Sequence, residues 1–265
     1  MTIDYNSKVA RKLLHTENKN ITEKNPLEEF GKAACCLLII LVFLYLSVYI
    51  STGAIISSLT IDAQVKLENA LTSLNKPEQW KVIEKNPSRV TKLKNKIMYY
   101  DEDYPVISNQ KIYIIEMDMM NAFCAPNGNI YITDKLYKKL DTDEQLTYIL
   151  AHEMGHYKNK DHLTALRKSI SKMVLLISLS LCGDSNKITK TLLSDSLSLH
   201  DFHHARLHEI QADTYAGTIL LQMFNSTDGG VEVLEFLNQN SKLSFSMTST
   251  HPKKEERIEL LESLK

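Results

Sequence analysis

From Ala33 to Ile61 the chain reads AACCLLIILVFLYLSVYISTGAIISSLTI, with no charged residue between Lys32 and Asp62. A helix crosses the hydrocarbon core of a bilayer with about 20 apolar residues, so this run is long enough to span. A secretory leader carries an apolar stretch of only about 7–15 residues ending at a small-residue cleavage site. This run is longer and follows a polar tail, residues 1–32, so the pattern predicts an uncleaved, single-pass transmembrane anchor over residues 33–60.

Beyond the anchor the pattern changes period several times. Ile61, Val65, Leu67, Leu71 and Leu74 predict a helix leaving the membrane and stopping at the Asn-Lys-Pro of residues 75–77. Lys81 to Tyr100 alternates basic and apolar residues at roughly helical spacing, and the loop DEDYP follows. Residues 111–118, KIYIIEMD, are β-branched and aromatic and predict a strand. In NAFCAPNGNIYIT, 121–133, the turn residues Pro126 to Asn129 separate two apolar runs and predict a hairpin. Thr142 with Gln145 matches a capping box, so a helix should run over about 142–158, with Asn159 as its left-handed stop. Met173 to Cys182 is too short to span and reads as a core or interfacial helix. A long helix is expected over 199–224, and a terminal one after Pro252. The fold class is therefore α+β: a mainly helical domain over 61–265 with a small β-sheet, preceded by one transmembrane helix.

Composition narrows the function more than the fold. The formal net charge is −1 and no long basic run occurs, so nucleic acid is not an expected partner. Four cysteines, Cys35 and Cys36 inside the apolar run and Cys124 and Cys182 standing alone, form no disulfide framework and leave the compartment open. Lys19, Lys24 and Lys32 before the anchor against Lys66 and Lys76 after it favour a cytoplasmic N-terminus, with the large domain extracytoplasmic.

The chemistry concentrates in LAHEMGHYKNKDH, residues 150–162. Residues four apart share a helix face, so His152 and His156 can grip one ion, while Glu153 reaches a water beside it. That is the HExxH arrangement of zinc hydrolases. Catalytic zinc takes three protein ligands and leaves a position for water, so one more is needed. His162 has the spacing of the metzincin pattern, with Asn159 where glycine would stand and Met247 available for a Met-turn. The rival is Glu209 in RLHEIQADTYAG, with Asp213 four residues on to orient a ligand histidine and Arg206 one turn before to steady the carboxylates. Ala212, Ala216 and Gly217 would let that second helix approach closely.

Four segments in order, NAFCAPNGNIYIT, AHEMGHYKNKDH, RLHEIQAD and THPKKEERI, resemble the membrane-associated zinc peptidases that include HtpX and the CAAX prenyl endopeptidases, family forty-eight of the metallopeptidases. The resemblance covers roughly residues 60–265. It implies a zincin-like metallopeptidase domain with one zinc ion per chain, His152, His156 and Glu209 as ligands, Glu153 as catalytic base and Asp213 behind the ligands. It makes His162 a residue beyond the helix. A single span departs from the multi-span members and implies an anchored, water-facing domain.

The expected function is a membrane-anchored zinc metalloendopeptidase. Its expected partners are membrane lipid, through residues 33–60, and extended or misfolded polypeptides, which Asn121, Ala122 and Phe123 would receive by strand addition. His251, before the rigid Pro252, is either a cap for the last helix or a latency ligand that occupies the water position. Tyr157, His200, His203, His204 and His208 are candidates to stabilise an oxyanion. The alternative is a zinc-binding, chaperone-like module with negligible proteolysis, against which the intact Glu153 argues.

Overall fold

A computed structural model of the chain describes residues 25–75, 81–105, 110–181, 206–239 and 254–265. It divides into two compact units, Met1–Leu44 and Tyr45–Lys265. Helix α1, Pro26–Ser58, carries the whole apolar run and is long and apolar enough to cross a membrane. The Asn25 side chain caps it by accepting from the Leu27 amide at 3.1 Å.

The second unit is α+β and mainly helical. Its described elements are α2 (Ile61–Asn75), β1 (Lys81–Lys85), α3 (Ser88–Tyr100), β2 (Ile112–Glu116), β3 (Ala122–Cys124), β4 (Ile130–Thr133) and α4 (Asp134–Lys139), followed by α5 (Asp143–Lys158), α6 (Asp161–Leu181), α7 (Arg206–Phe224), α8 (Asp228–Gln239) and α9 (Lys254–Ser263). The four strands lie in the order β1-β2-β4-β3. β2 and β4 are parallel, and the two edge pairs are antiparallel.

Alternation along β2 and β4 sends Ile112, Ile114, Ile130 and Ile132 to one face, where they meet Leu146, Ile149 and Leu150 of α5 and Ile219 and Leu220 of α7 in the main core. The opposite face carries a stack of Tyr113, Tyr131 and Phe123, with neighbouring ring centroids 5.0 and 5.1 Å apart. The Pro126–Asn129 turn closes β3 onto β4, with Gly128 at φ 79°.

Two local expectations change. Lys81–Lys85 is an exposed edge strand rather than the start of a helix, because it pairs with β2 through a bulge at Val82/Glu84. Asn159 stays right-handed (φ −74°) while Lys160 takes the left-handed conformation (φ 57°). The Asn159 amide still bonds the Gly155 carbonyl, so α5 completes its turn before the chain swings into α6. The apolar run from Met173 is the second half of α6, up to Leu181.

Candidate metal centre

α5 starts at a complete capping box, with Thr142 accepting from the Gln145 amide and Gln145 reaching back to the Thr142 amide. That fixed start sets the rotation of every residue on the helix. The ridge of α5 that faces α7 then carries His152, Gly155 and His156. A Cβ on Gly155 would stand 3.2 Å from the Ala212 Cα and 3.1 Å from the Tyr215 ring. The missing side chain brings the two helices together. Gly217, by contrast, makes room for Leu261 and Leu264 near the C-terminus and does not face α5.

This approach gathers His152, His156 and Glu209, all buried, with one ligand-type atom from each lying within 4.8 Å of the others. His152 Nε2 is 3.1 Å from His156 Nε2. Glu209 Oε1 is 3.3 Å from His156 Nε2, and its Oε2 is 3.6 Å from His152 Nε2. Behind the rings, Asp213 Oδ1 lies 2.9 Å from His152 Nδ1 and Asp161 Oδ2 lies 2.8 Å from His156 Nδ1. Carboxylates only accept, so both Nδ1 atoms carry a ring proton, and each Nε2 offers its lone pair when its ring is neutral. Two imidazole nitrogens and a carboxylate facing one point, out of water, call for a cation. The donor set, two imidazole nitrogens and one carboxylate oxygen, suits zinc.

Ionisation follows the same geometry. Burial holds His152 neutral, lowering it to about 4 despite Asp213. Burial opposes charge on His156 too, but Asp161 and Glu209 outweigh it and raise that ring to about 9, so without a metal a proton supplies the positive charge. Burial would raise Asp213, yet Arg257 and His152 hold it well below the usual carboxylate range.

Arg257 of α9 is the main residue the sequence reading missed. Its guanidinium donates to Asp213 Oδ2 (2.5 Å) and Oδ1 (2.9 Å), lies 3.3 Å from Glu209 Oε2, and donates to the Tyr148 hydroxyl at 3.2 Å. Tyr148 in turn donates to Asp213 Oδ1 at 2.8 Å. Arg206, expected in this role, is exposed and pairs with Glu256. Side chains on a helix lean toward its N-terminus, and Arg206 is the first residue of α7, so it reaches past the cluster. Asp161 was also missed, since its contact with His156 depends on the Lys160 corner. Arg257 stands inside THPKKEERI, so the segment was visible and only its target was not.

Glu153 is buried on the same helix, and its Oε2 accepts from the backbone amide of Cys124 at 3.0 Å. That amide belongs to β3, an edge strand of the sheet. The Asn121–Thr133 and Ala125–Asn129 backbone bonds turn the intervening amides of Ala122 and Cys124 away from β4. Asn121, Ala122 and Phe123 thus lie along the rim beside Glu153, with Phe123 stacked on Tyr131.

His162 lies apart from the cluster, 3.1 Å from Glu68 Oε1 of α2 and stacked on Tyr157. The Tyr157 hydroxyl also donates to Glu68, at 3.1 Å. His208 Nδ1 is 3.3 Å from Asp161 Oδ1. His200, His203, His204, Met247 and His251 lie outside the described residues.

The sequence profile of peptidase family M48 matches residues 90–265, well over half of the chain. The chain belongs to peptidase family M48. The match takes in all three residues of the His–His–Glu cluster together with Glu153, Asp161, Asp213 and Arg257. The chain is also similar to the protein named metalloendopeptidase OMA1, mitochondrial, of Homo sapiens: 23% identical over 180 residues, 62% of this chain and 34% of that one. A shorter stretch of 45 residues is 38% identical to the protein of the same name in Danio rerio, covering 17% of this chain and 9% of that one. The chain thus spans about a third of the length of the human relative it matches.

Proposed function

We propose that the chain is a membrane-anchored zinc metalloendopeptidase that hydrolyses peptide bonds in extended or misfolded polypeptides. The carrying observation is the convergence of two buried imidazoles and a buried carboxylate within 4.8 Å of one another, with Glu153 next in the chain to His152. His152, His156 and Glu209 would hold one zinc ion, with Asp213 and Asp161 fixing the two ring tautomers. Zinc bound there supplies Lewis acidity, which acidifies water and polarises a peptide carbonyl. Glu153 takes the proton of the attacking water on its carboxylate and returns it to the leaving amine. The Cys124 amide keeps that carboxylate turned toward the β3 rim. An extended substrate adds to that rim through backbone hydrogen bonds, which read little sequence and suit unfolded chains.

Residues 33–60 anchor the enzyme in lipid, and the flanking lysines favour a domain outside the cytoplasm. The test is Glu153→Gln against wild type at equal zinc content, on an extended peptide. Loss of a general base should lower turnover by about 10²–10⁴-fold. Equal rates, or no cleavage by the zinc-loaded wild type, would favour the chaperone-like zinc module instead.

A further inference from the structure

α1 is longer than a bilayer requires. Ala33–Ser58 extends about 39 Å at 1.5 Å per residue, against a hydrocarbon core of about 30 Å. With Lys32 in one headgroup layer, the other falls about 20 residues on, near Tyr49–Thr52. Aromatic residues mark such levels, and Tyr45 and Tyr49 stack there with centroids 6.4 Å apart.

α6 meets α1 at this same level. The Arg167 guanidinium lies 4.0 Å over the Tyr49 ring and donates to the Tyr49 carbonyl at 3.3 Å. Gly53 leaves the space for it, since a Cβ there would sit 2.5 Å from the guanidinium. Ile56 packs with Leu163 and Leu166, so α6 advances along its sequence as α1 is retraced, and the two run antiparallel. Arg167, Lys168 and Lys172 are the last charges on α6, and both lysines are exposed. Beyond them the helix reads MVLLISLSL, with the Ile177 side chain 42% exposed. The hydroxyls on this path bond within the helix, Ser171 to the Arg167 carbonyl and Ser178 to the Val174 carbonyl, both at 2.9 Å. Polar groups in lipid have to be satisfied internally in this way.

We infer that α6 re-enters the bilayer: Met173–Ser178 lies among lipid acyl chains, and Arg167, Lys168 and Lys172 sit in the phosphate layer. The inference rests on the reading of α1 as the membrane anchor. It also refines the substrate class. Asp161, which holds His156, is six residues before Arg167, about 9 Å along α6. The metal centre therefore works close to the membrane surface, and its substrates carry the scissile bond in a segment next to the bilayer.

The test uses the full chain in vesicles of phosphatidylcholine and phosphatidylglycerol, with the single native tryptophan removed by Trp80→Phe. Ile177→Trp probes α6, Phe43→Trp probes the middle of α1, and Tyr99→Trp, at a site 78% exposed on α3, reports water. Brominated acyl chains should remove most of the emission at positions 177 and 43, and aqueous iodide should quench only position 99. Quenching at 43 by bromolipid but at 177 by iodide alone overturns the re-entry and leaves the anchor standing. A probe at 43 that bromolipid does not reach overturns the anchor reading and, with it, the inference. If Ile177→Trp does not fold, Val174→Trp one turn earlier carries the same two outcomes.

Discussion

A neutral histidine that donates through Nδ1 to a carboxylate offers Nε2 as an acceptor, and two histidines so held face Glu209. The proton on metal-free His156 has to leave before zinc can bind, whereas His152 is already neutral. Between pH 7 and 8 zinc uptake should release one proton, so affinity falls about tenfold per unit as pH drops below about 9. Calorimetry in two buffers of different ionisation enthalpy measures that number, and a value of zero contradicts the assignment.

Arg257 is the counter-charge that lets Asp213 and Glu209 lie buried together. Arg257→Leu should cost the metal-free protein about 3–5 kcal/mol in denaturant unfolding, because it strands buried carboxylate charge. Arg257→Lys should recover only part of this, since an ammonium cannot match the guanidinium fork on Asp213.

The site depends on how closely α5 and α7 approach, and the contact at Gly155 sets that distance. The facing atoms at Ala212 include backbone, which cannot rotate away. Gly155→Ala should therefore push the helices apart, costing about 1–3 kcal/mol and weakening zinc binding; thermal unfolding with and without zinc measures both. At this scale the sequence was readable wherever a local signal acts alone. The Thr142–Gln145 box, the turn at Pro126–Asn129 and the strand over residues 112–116 all formed. The reading failed where a neighbour overrides local preference. The KVIEK of β1 lacks the period-2 alternation of a half-buried strand and is compatible with a helix, and its pairing with β2 makes it a strand. α8, Asp228–Gln239, opens with Gly229 and Gly230, which lower helix propensity; they face Glu144 and Tyr148 of α5, where any Cβ would collide.

α2 ties three parts of the second unit together. Buried Glu68 receives the Tyr157 hydroxyl, His162 and Gln64, while Asn69 and Thr72 hold Asn127 in the turn after β3. The end of α5 and the turn after β3 are thus braced by the helix that follows α1. Glu68→Ala should destabilise the protein by about 1.5–3 kcal/mol, since it leaves Tyr157 and His162 without their acceptor. Equilibrium unfolding in urea tests this, and an unchanged midpoint would remove α2 as a brace.

By itself the sequence determined whatever depends on neighbours a few residues apart. It set the apolar run of α1, the shared face of His152 and His156 with Glu153 beside them, and the cap that fixes the phase of α5. Tertiary structure decided which distant group stands beside the imidazoles. Glu209 is 53 residues from His156, and His162 only six, yet Glu209 is the one within reach. It also gave the buried guanidinium to Arg257 rather than Arg206 and turned the chain at Lys160. Helical periodicity fixes directions within one helix, whereas the separation of two helices is set by the side chains packed between them, here a glycine against an alanine.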